Sequence, residues 1–241
     1  MSQKLQSIVE MMPAVATADQ LTRFLRRFKN LYDFDNAIYY ALSLGGDRAG
    51  EEFGAMTYPA AWHQRYEDVR YRDFDPVVHS ALGGFAPFDW ATLDWSGRPV
   101  KRLLSEASEF RVGNQGFSVP IHGPHGQFAM FSVSKHCSER DWALLLAEIS
   151  QDMLLLAHHI HRQVLEITGA DARSRELSLS PRERDVLTMI AAGASRARIA
   201  ERLTISESTV RVYLGSARHK LGALNAFHAV AIGVRQGIVK I

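Results

Sequence analysis

The sequence predicts an α+β chain: an N-terminal α/β/α sandwich with a central antiparallel sheet, linked to a small all-α domain of four helices. Three observations predict it. Before residue 166, helical apolar spacing is mixed with alternating runs that suit strands. After residue 178 only helical spacing remains. Between them EITGADARSRELS (166–178) is rich in small and charged residues and has little apolar periodicity. The boundaries therefore fall at 1–166, a linker at 167–177, and 178–241.

The elements follow in order. ADQLTRFLRRFKNLY (18–32) spaces Leu21, Phe24, Leu25, Phe28 and Leu31 along one helical face. NAIYYALSL (36–44) and EEFGAMTY (51–58) flank GGDRAG and predict a hairpin. PAAWHQRYEDV begins a helix with Pro59 in its first turn. A further helix starts at Pro76, where Asp75 is placed to cap it. GFSVPI (116–121) and QFAMFSVS (127–134) form a second hairpin around HGPHG. Ser138 with Asp141 opens a long helix over 139–167.

Composition bounds the function. Of 241 residues, 46% are hydrophobic and 22% charged, the balance of a globular protein with a sizeable core. The single cysteine, Cys137, excludes an intramolecular disulfide and suits a reducing compartment. No signal pattern and no apolar run of about 18 residues is present, so a cytoplasmic protein without a membrane partner is expected. The net charge of +2 is unevenly shared. Residues 166–241 hold 12 Lys+Arg against 7 Asp+Glu, and the first 165 hold 16 against 19. A basic C-terminal third beside a mildly acidic body points to a nucleic-acid module.

In SPRERDVLTMIAAG (180–193), Ser180 caps, Pro181 takes the first helical position and Gly193 stops the helix, with Val186, Leu187 and Ile190 inward. SRARIAERL (195–203) turns Ile199, Ala200 and Leu203 inward. Thr204-Ile205-Ser206 makes a short turn, and Ser206 caps a helix that buries Val210, Leu214, Ala217 and Leu221. Two short helices joined by such a turn form a helix-turn-helix, whose second helix enters the major groove of double-stranded DNA. Ser208, Arg211, Val212, Gly215 and Arg218 are left at the outer surface. Arg211 suits guanine and Val212 a thymine methyl. Ser208, Thr209 and Arg218 suit phosphates. The same positions also fit a merely solvated face of a helical bundle.

This stretch resembles the DNA-binding domain of LuxR-type regulators. The pattern is matched at Leu179, Glu183, Val186-Leu187, Gly193, Ile199-Ala200, Leu203, Ile205-Ser206, Thr209-Val210 and Lys220-Leu221, and AVAIGVRQGIV (229–239) is similar to the closing helix. Tyr213 and Gly215 depart from it, where many members carry histidine and a long polar residue.

The N-terminal part lacks the acidic pair of a phosphorylated receiver and any GxxxxGK[ST] loop. It contains Tyr58, Trp62 and Tyr66, four apart and so on one helical face or its start; core packing and a ligand cage both fit them. Asp75, between Phe74 and Pro76-Val77-Val78, is either the cap of the next helix or a buried carboxylate that needs a donor. The spacing Tyr58–Trp62–Tyr66–Asp75-Pro76–Trp90–Gly116 resembles the autoinducer-binding domain of quorum-sensing LuxR-type receptors, which bind N-acyl-homoserine lactones. The resemblance implies that Trp62 donates to the lactone carbonyl, Asp75 accepts the ligand amide N–H and so gains the partner its burial requires, and Tyr58 with Ser132 reaches the amide carbonyl. Tyr66 and Trp90 would wall the pocket, and Gly116 would allow close backbone approach. His63 stands where some relatives have arginine or glutamine. The acyl end, lined from the stretch between Trp90 and Gly116, leaves fatty and aryl acyl groups both open.

Histidines at 122, 125, 136, 158, 159 and 161 lack the spacing and companions of a metal set, and His136 beside Cys137 is not a catalytic dyad. The expectation is a non-enzyme without metal or cofactor, its only small molecule an effector. Helix 139–167 carries more apolar surface than one sheet face covers, which predicts a homodimer suited to a palindromic promoter site. The alternative is a solo, lactone-independent regulator whose pocket is self-filled or holds another metabolite.

Overall fold

The computed structural model describes residues 3–45, 51–170 and 179–239. Most of the expected GGDRAG turn and of the expected 167–177 linker lies outside the described residues. Residues up to Thr168, apart from the short segments 44–50 and 123–127, carry one unit, and the chain after Thr168 carries the second.

The first unit is built on a five-stranded antiparallel sheet of β1 (Asn36–Ser43), β2 (Phe53–Met56), β3 (Phe88–Asp89), β4 (Gln115–His122) and β5 (Phe128–Lys135). The strand order is β2-β1-β5-β4-β3. Register aligns Ile38, Ser132 and Ser118 in one row, and Tyr40, Met130 and Pro120 in the next. Because successive side chains point to opposite faces, each strand has an odd and an even role. Tyr39 and Phe131 point to a face covered by α2 (Ala18–Leu31) and α6 (Glu139–Thr168): Phe28 packs on Phe131 at 5.6 Å, and Tyr39 Oη lies 2.7 Å from His161 Nδ1. Ile38, Tyr40, Met130 and Ser132 point the other way, beneath α3 (Ala60–Val69), α4 (Pro76–Gly83) and α5 (Arg98–Glu109). The expected α/β/α sandwich is the observed architecture.

Local chemistry sets the boundaries. Thr17 caps α2 by accepting from the Gln20 N–H, and Tyr32 already lies at its C-cap. Pro59 is the N-cap of α3 rather than part of its first turn, and Arg70 ends that helix in the left-handed region at φ 56°. Ser138 accepts the Asp141 N–H and opens α6. Among the described α-helices and strands, three lie outside the expectations: α1 (Gln3–Val9), the two-residue β3, and α5. β3 is too short to show alternation, and α5 hides few apolar side chains (Leu103 and Ala107) among charged ones.

The second unit consists of α7 (Pro181–Ala191), α8 (Arg196–Leu203), α9 (Glu207–Lys220) and α10 (Ala226–Arg235). Val186, Leu187, Ile199, Val210, Leu214 and Ala217 meet in its core. Ser180 and Glu183 form a reciprocal capping box around Pro181. Gly193, at φ 80°, ends α7 in a conformation that glycine adopts without steric cost. Thr204 closes α8 in the left-handed region, and Ser206 caps α9 by accepting the Thr209 N–H at 3.1 Å.

Candidate ligand cavity and nucleic-acid interface

Between the sheet and the α3–α5 layer lies a cavity of about 420 Å³. Tyr58, Trp62, Tyr66, Asp75, Trp90 and Ser132 all line it, so the six residues singled out from sequence converge on one space. Most of the remaining wall is apolar, from Ile38, Leu42, Met56, Val77, Leu103 and Met130 among others.

Trp62 is 3% exposed, stacked on Tyr71 with centroids 5.9 Å apart and packed on Phe110 at 5.5 Å. Its indole N–H makes no hydrogen bond to any described residue. A donor held rigidly at the wall of a largely apolar cavity is placed where a ligand acceptor could meet it.

Asp75 corrects an expectation. It does not wait for a donor: the Val77 N–H donates to Oδ1 at 2.8 Å and Tyr66 Oη donates to Oδ2 at 2.7 Å. The cap and the cavity residue are therefore the same carboxylate. Burial pushes its pKa up, while the bonds from Tyr66 and Val77 pull it back. Each oxygen retains acceptor capacity beyond these bonds. Tyr66 consequently does more than wall the cavity; it holds Asp75.

Burial together with the Asp75 carboxylate raises the Tyr58 phenol pKa, and the neighbouring Ser134 hydroxyl pulls it back. Ser132 Oγ lies 2.7 Å from Ser118 Oγ, which accepts Trp90 Nε1–H at 2.9 Å. Trp90 is set by Asp89, whose Oδ1 accepts the Ala91 N–H while Oδ2 accepts Trp142 Nε1–H at 3.1 Å. Gly116 serves this ring: a Cβ there would stand 2.2 Å from Trp90 Cδ2. The close approach expected at Gly116 is thus made by the Trp90 side chain.

Ser118 was not anticipated, although it shares the strand face of Gly116, two residues on, and so stands within reach of any ring laid on that glycine. Arg65 forks onto Glu106 at 2.6 and 2.8 Å, joining α3 to α5 and holding the Glu106 carboxyl well below the usual range. Nothing in the sequence pairs two residues 41 apart. Tyr40, Glu52 and Arg72 form a further linked group at the cavity wall.

In the helical unit, Ser208, Arg211 and Val212 are exposed on α9, Val212 by 67%, with Gly215 beside them. Thr209 is half-buried; its hydroxyl and that of Ser208 both bond to Ser206 Oγ, at 2.8 and 2.6 Å. Arg218 is drawn inward: Nη2 donates to the Leu224 carbonyl at 3.0 Å, and its buried Nε has no partner among the described residues. The face therefore gathers four of the five expected residues and turns the fifth toward the domain. Glu183, 5% exposed, accepts from Lys220 Nζ at 2.8 Å and Ser216 Oγ at 2.7 Å. Burial pushes its pKa up, but the bonds from Lys220, Ser216 and Ser180 outweigh that and hold it at about 2.

Among the described residues no group of three His, Cys, Asp or Glu could hold a metal ion, and no helix is long and apolar enough to cross a membrane.

An α/β/α unit enclosing a cavity with a few convergent polar groups, followed by a helix-turn-helix unit, defines a ligand-responsive DNA-binding regulator. Residues 17–164 match the family of autoinducer binding domains, and residues 177–232 match the bacterial regulatory proteins of the luxR family. The chain belongs to the LuxR family of autoinducer-binding transcription regulators. It is 36% identical over 166 residues to the transcriptional activator protein RaiR of Rhizobium etli, 69% of each chain. It is 31% identical to the transcriptional activator protein BjaR1 of Bradyrhizobium diazoefficiens over 216 residues, 86% of this chain and 84% of that one. Its fold resembles the crystal structure of Escherichia coli SdiA, with a TM-score of 0.74, 19% identity and 98% of each chain covered.

Proposed function

We propose that the regulator senses an N-acyl-homoserine lactone and binds a palindromic promoter site as a cytoplasmic homodimer, with residues 1–166 as sensor and dimerisation domain, 167–177 as linker and 178–241 as DNA-binding domain. The observation that carries the ligand class is the unpartnered Trp62 N–H at the wall of an apolar cavity that Asp75, Tyr58 and Ser132 also line. A lactone amide offers a matching set: carbonyls for Trp62 and for Tyr58 with Ser132, and an N–H for spare acceptor capacity on Asp75. The dimer is supported by Leu144, Leu154 and Leu155, which α6 leaves 66%, 40% and 45% exposed while its other face is buried in the sheet. Ser208, Thr209, Arg211 and Val212 would read or grip the groove; Arg218 would reach phosphate only by releasing Leu224. The protein is a regulator without catalysis, metal or cofactor in this reading.

One observation favours a second reading, a lactone-independent regulator: Asp75 is already satisfied by Tyr66 and Val77. A thermal-shift series of lactones against wild type and Trp62→Phe separates the two. The first reading expects stabilisation that follows RT ln(1 + [L]/Kd) and weakens in Trp62→Phe. No shift with any lactone, from a protein that still binds DNA, selects the second.

A further inference from the structure

The cavity has a second end. Trp90 and Ser118 lie on the β3–β4 side of the sheet, whereas Tyr40 lies on β1, next to the β2 edge and one residue row further along. Two strand spacings and one row of two residues place Tyr40 roughly 12 Å from Ser118. If the lactone ring sits against Trp90 and Trp62, the acyl tail runs toward Tyr40.

Tyr40 is held on every side. Its hydroxyl donates to Glu52 and accepts from Arg72 Nη2 at 2.5 Å. Arg72 Nη1 donates to Glu52 at 2.5 Å, and Nη2 pairs with Glu67 at 3.5 Å. The guanidinium sits over the ring at 5.0 Å from its centroid. On the neighbouring strand Gly54 leaves room for the ring, since a Cβ there would come within 3.1 Å of Tyr40 Cδ2. Glu52 is exposed, so the outer side of this group is in water. Its polar atoms answer one another, which leaves the phenol ring as the surface offered to a ligand.

We propose that Tyr40, clamped by Glu52 and Arg72, is the wall that sets the length of the acyl tail. The proposal rests on the lactone reading. A pinned ring cannot turn aside for extra methylenes, and each methylene accepted or refused by an apolar pocket changes affinity roughly ten-fold or more. Removing the ring opens the cavity toward the exposed Glu52 side and lets a longer tail through. Loosening the clamp while keeping the ring gives a smaller change of the same sign.

The test is a Kd profile for butanoyl-, hexanoyl-, octanoyl-, decanoyl- and dodecanoyl-homoserine lactone on the full chain. Wild type is compared with Tyr40→Ala, with Tyr40→Val, which suits a strand should the alanine variant fold poorly, and with Arg72→Met. The expected result is at least a ten-fold gain for the decanoyl and dodecanoyl ligands in the Tyr40 variants, with the butanoyl affinity within about three-fold of wild type. Folded Tyr40 variants with the wild-type profile would overturn the proposal and leave the lactone reading intact. Failure of every lactone to bind wild type would overturn the lactone reading itself, and the proposal with it.

Discussion

Trp90 and Gly116 compete for one volume: the ring lies where any side chain on residue 116 would begin, 2.2 Å from an ideal Cβ. The neighbouring contacts are Trp90 Nε1–H on Ser118 and the Trp90 carbonyl accepting Trp95 Nε1–H at 2.7 Å. Gly116→Ala is therefore expected to expel the ring and cost about 1–3 kcal/mol by overpacking. A melting curve with intrinsic tryptophan fluorescence checks it, and an unchanged Tm would show that the ring has somewhere else to go.

Asp75 has two separable jobs. Asparagine caps a helix nearly as well as aspartate, so Asp75→Asn is expected to keep the apo fold within about 1 kcal/mol. The same change removes the charge-assisted acceptor and should abolish lactone stabilisation. Asp75→Ala loses the cap as well and is expected to melt earlier by about 1–2 kcal/mol. Full lactone response in Asp75→Asn would remove Asp75 from the ligand site.

His161, 6% exposed beneath the sheet, is held neutral, its pKa pushed down by burial to about 4. In the unfolded chain the ring protonates near pH 6.5, so below that pH the unfolded state binds more protons than the folded one. Stability should be unaffected by this group above pH 6.5 and fall by about 2–3 kcal/mol between pH 6.5 and 4. Urea titrations at stepped pH measure it. His161→Gln should flatten that interval, and a slope left intact would assign it to other groups.

Arg211 is exposed on α9, whereas Arg218 is bonded to Leu224. Arg211→Ala is expected to weaken operator binding by about 1–3 kcal/mol without altering the melting temperature. Arg218→Ala should lower the stability of the helical unit and change DNA affinity less. Gel-shift titrations beside melting curves separate the two, and the opposite pattern would reassign the contact.

Periodicity exposed α2, α6 and the strands β1, β2, β4 and β5, because their apolar residues recur with little interruption. It also exposed the caps at Ser138, Ser180 and Ser206, where the side chain answers a backbone N–H three residues away. The six cavity residues were legible through family resemblance in their spacing. What stayed hidden was what joins distant segments. Trp90 reaches Ser118, Arg65 reaches Glu106, and Tyr66 reaches Asp75 only after the layers have packed. A carboxylate flanked by apolar residues announces that it needs donors but not which ones. Hence Asp75 was placed in the cavity while its internal partners were not.

The buried Glu183 carboxylate belongs to α7, yet Ser216 and Lys220 of α9 both close on it. α7 and α9 are thereby bolted together at one point, and the tilt of α9 is settled when the unit folds. On the proposed reading, α9 arrives at DNA already cocked. Little orientational entropy is left to be lost on docking, and a mismatched base meets a part that cannot re-aim itself to accommodate it.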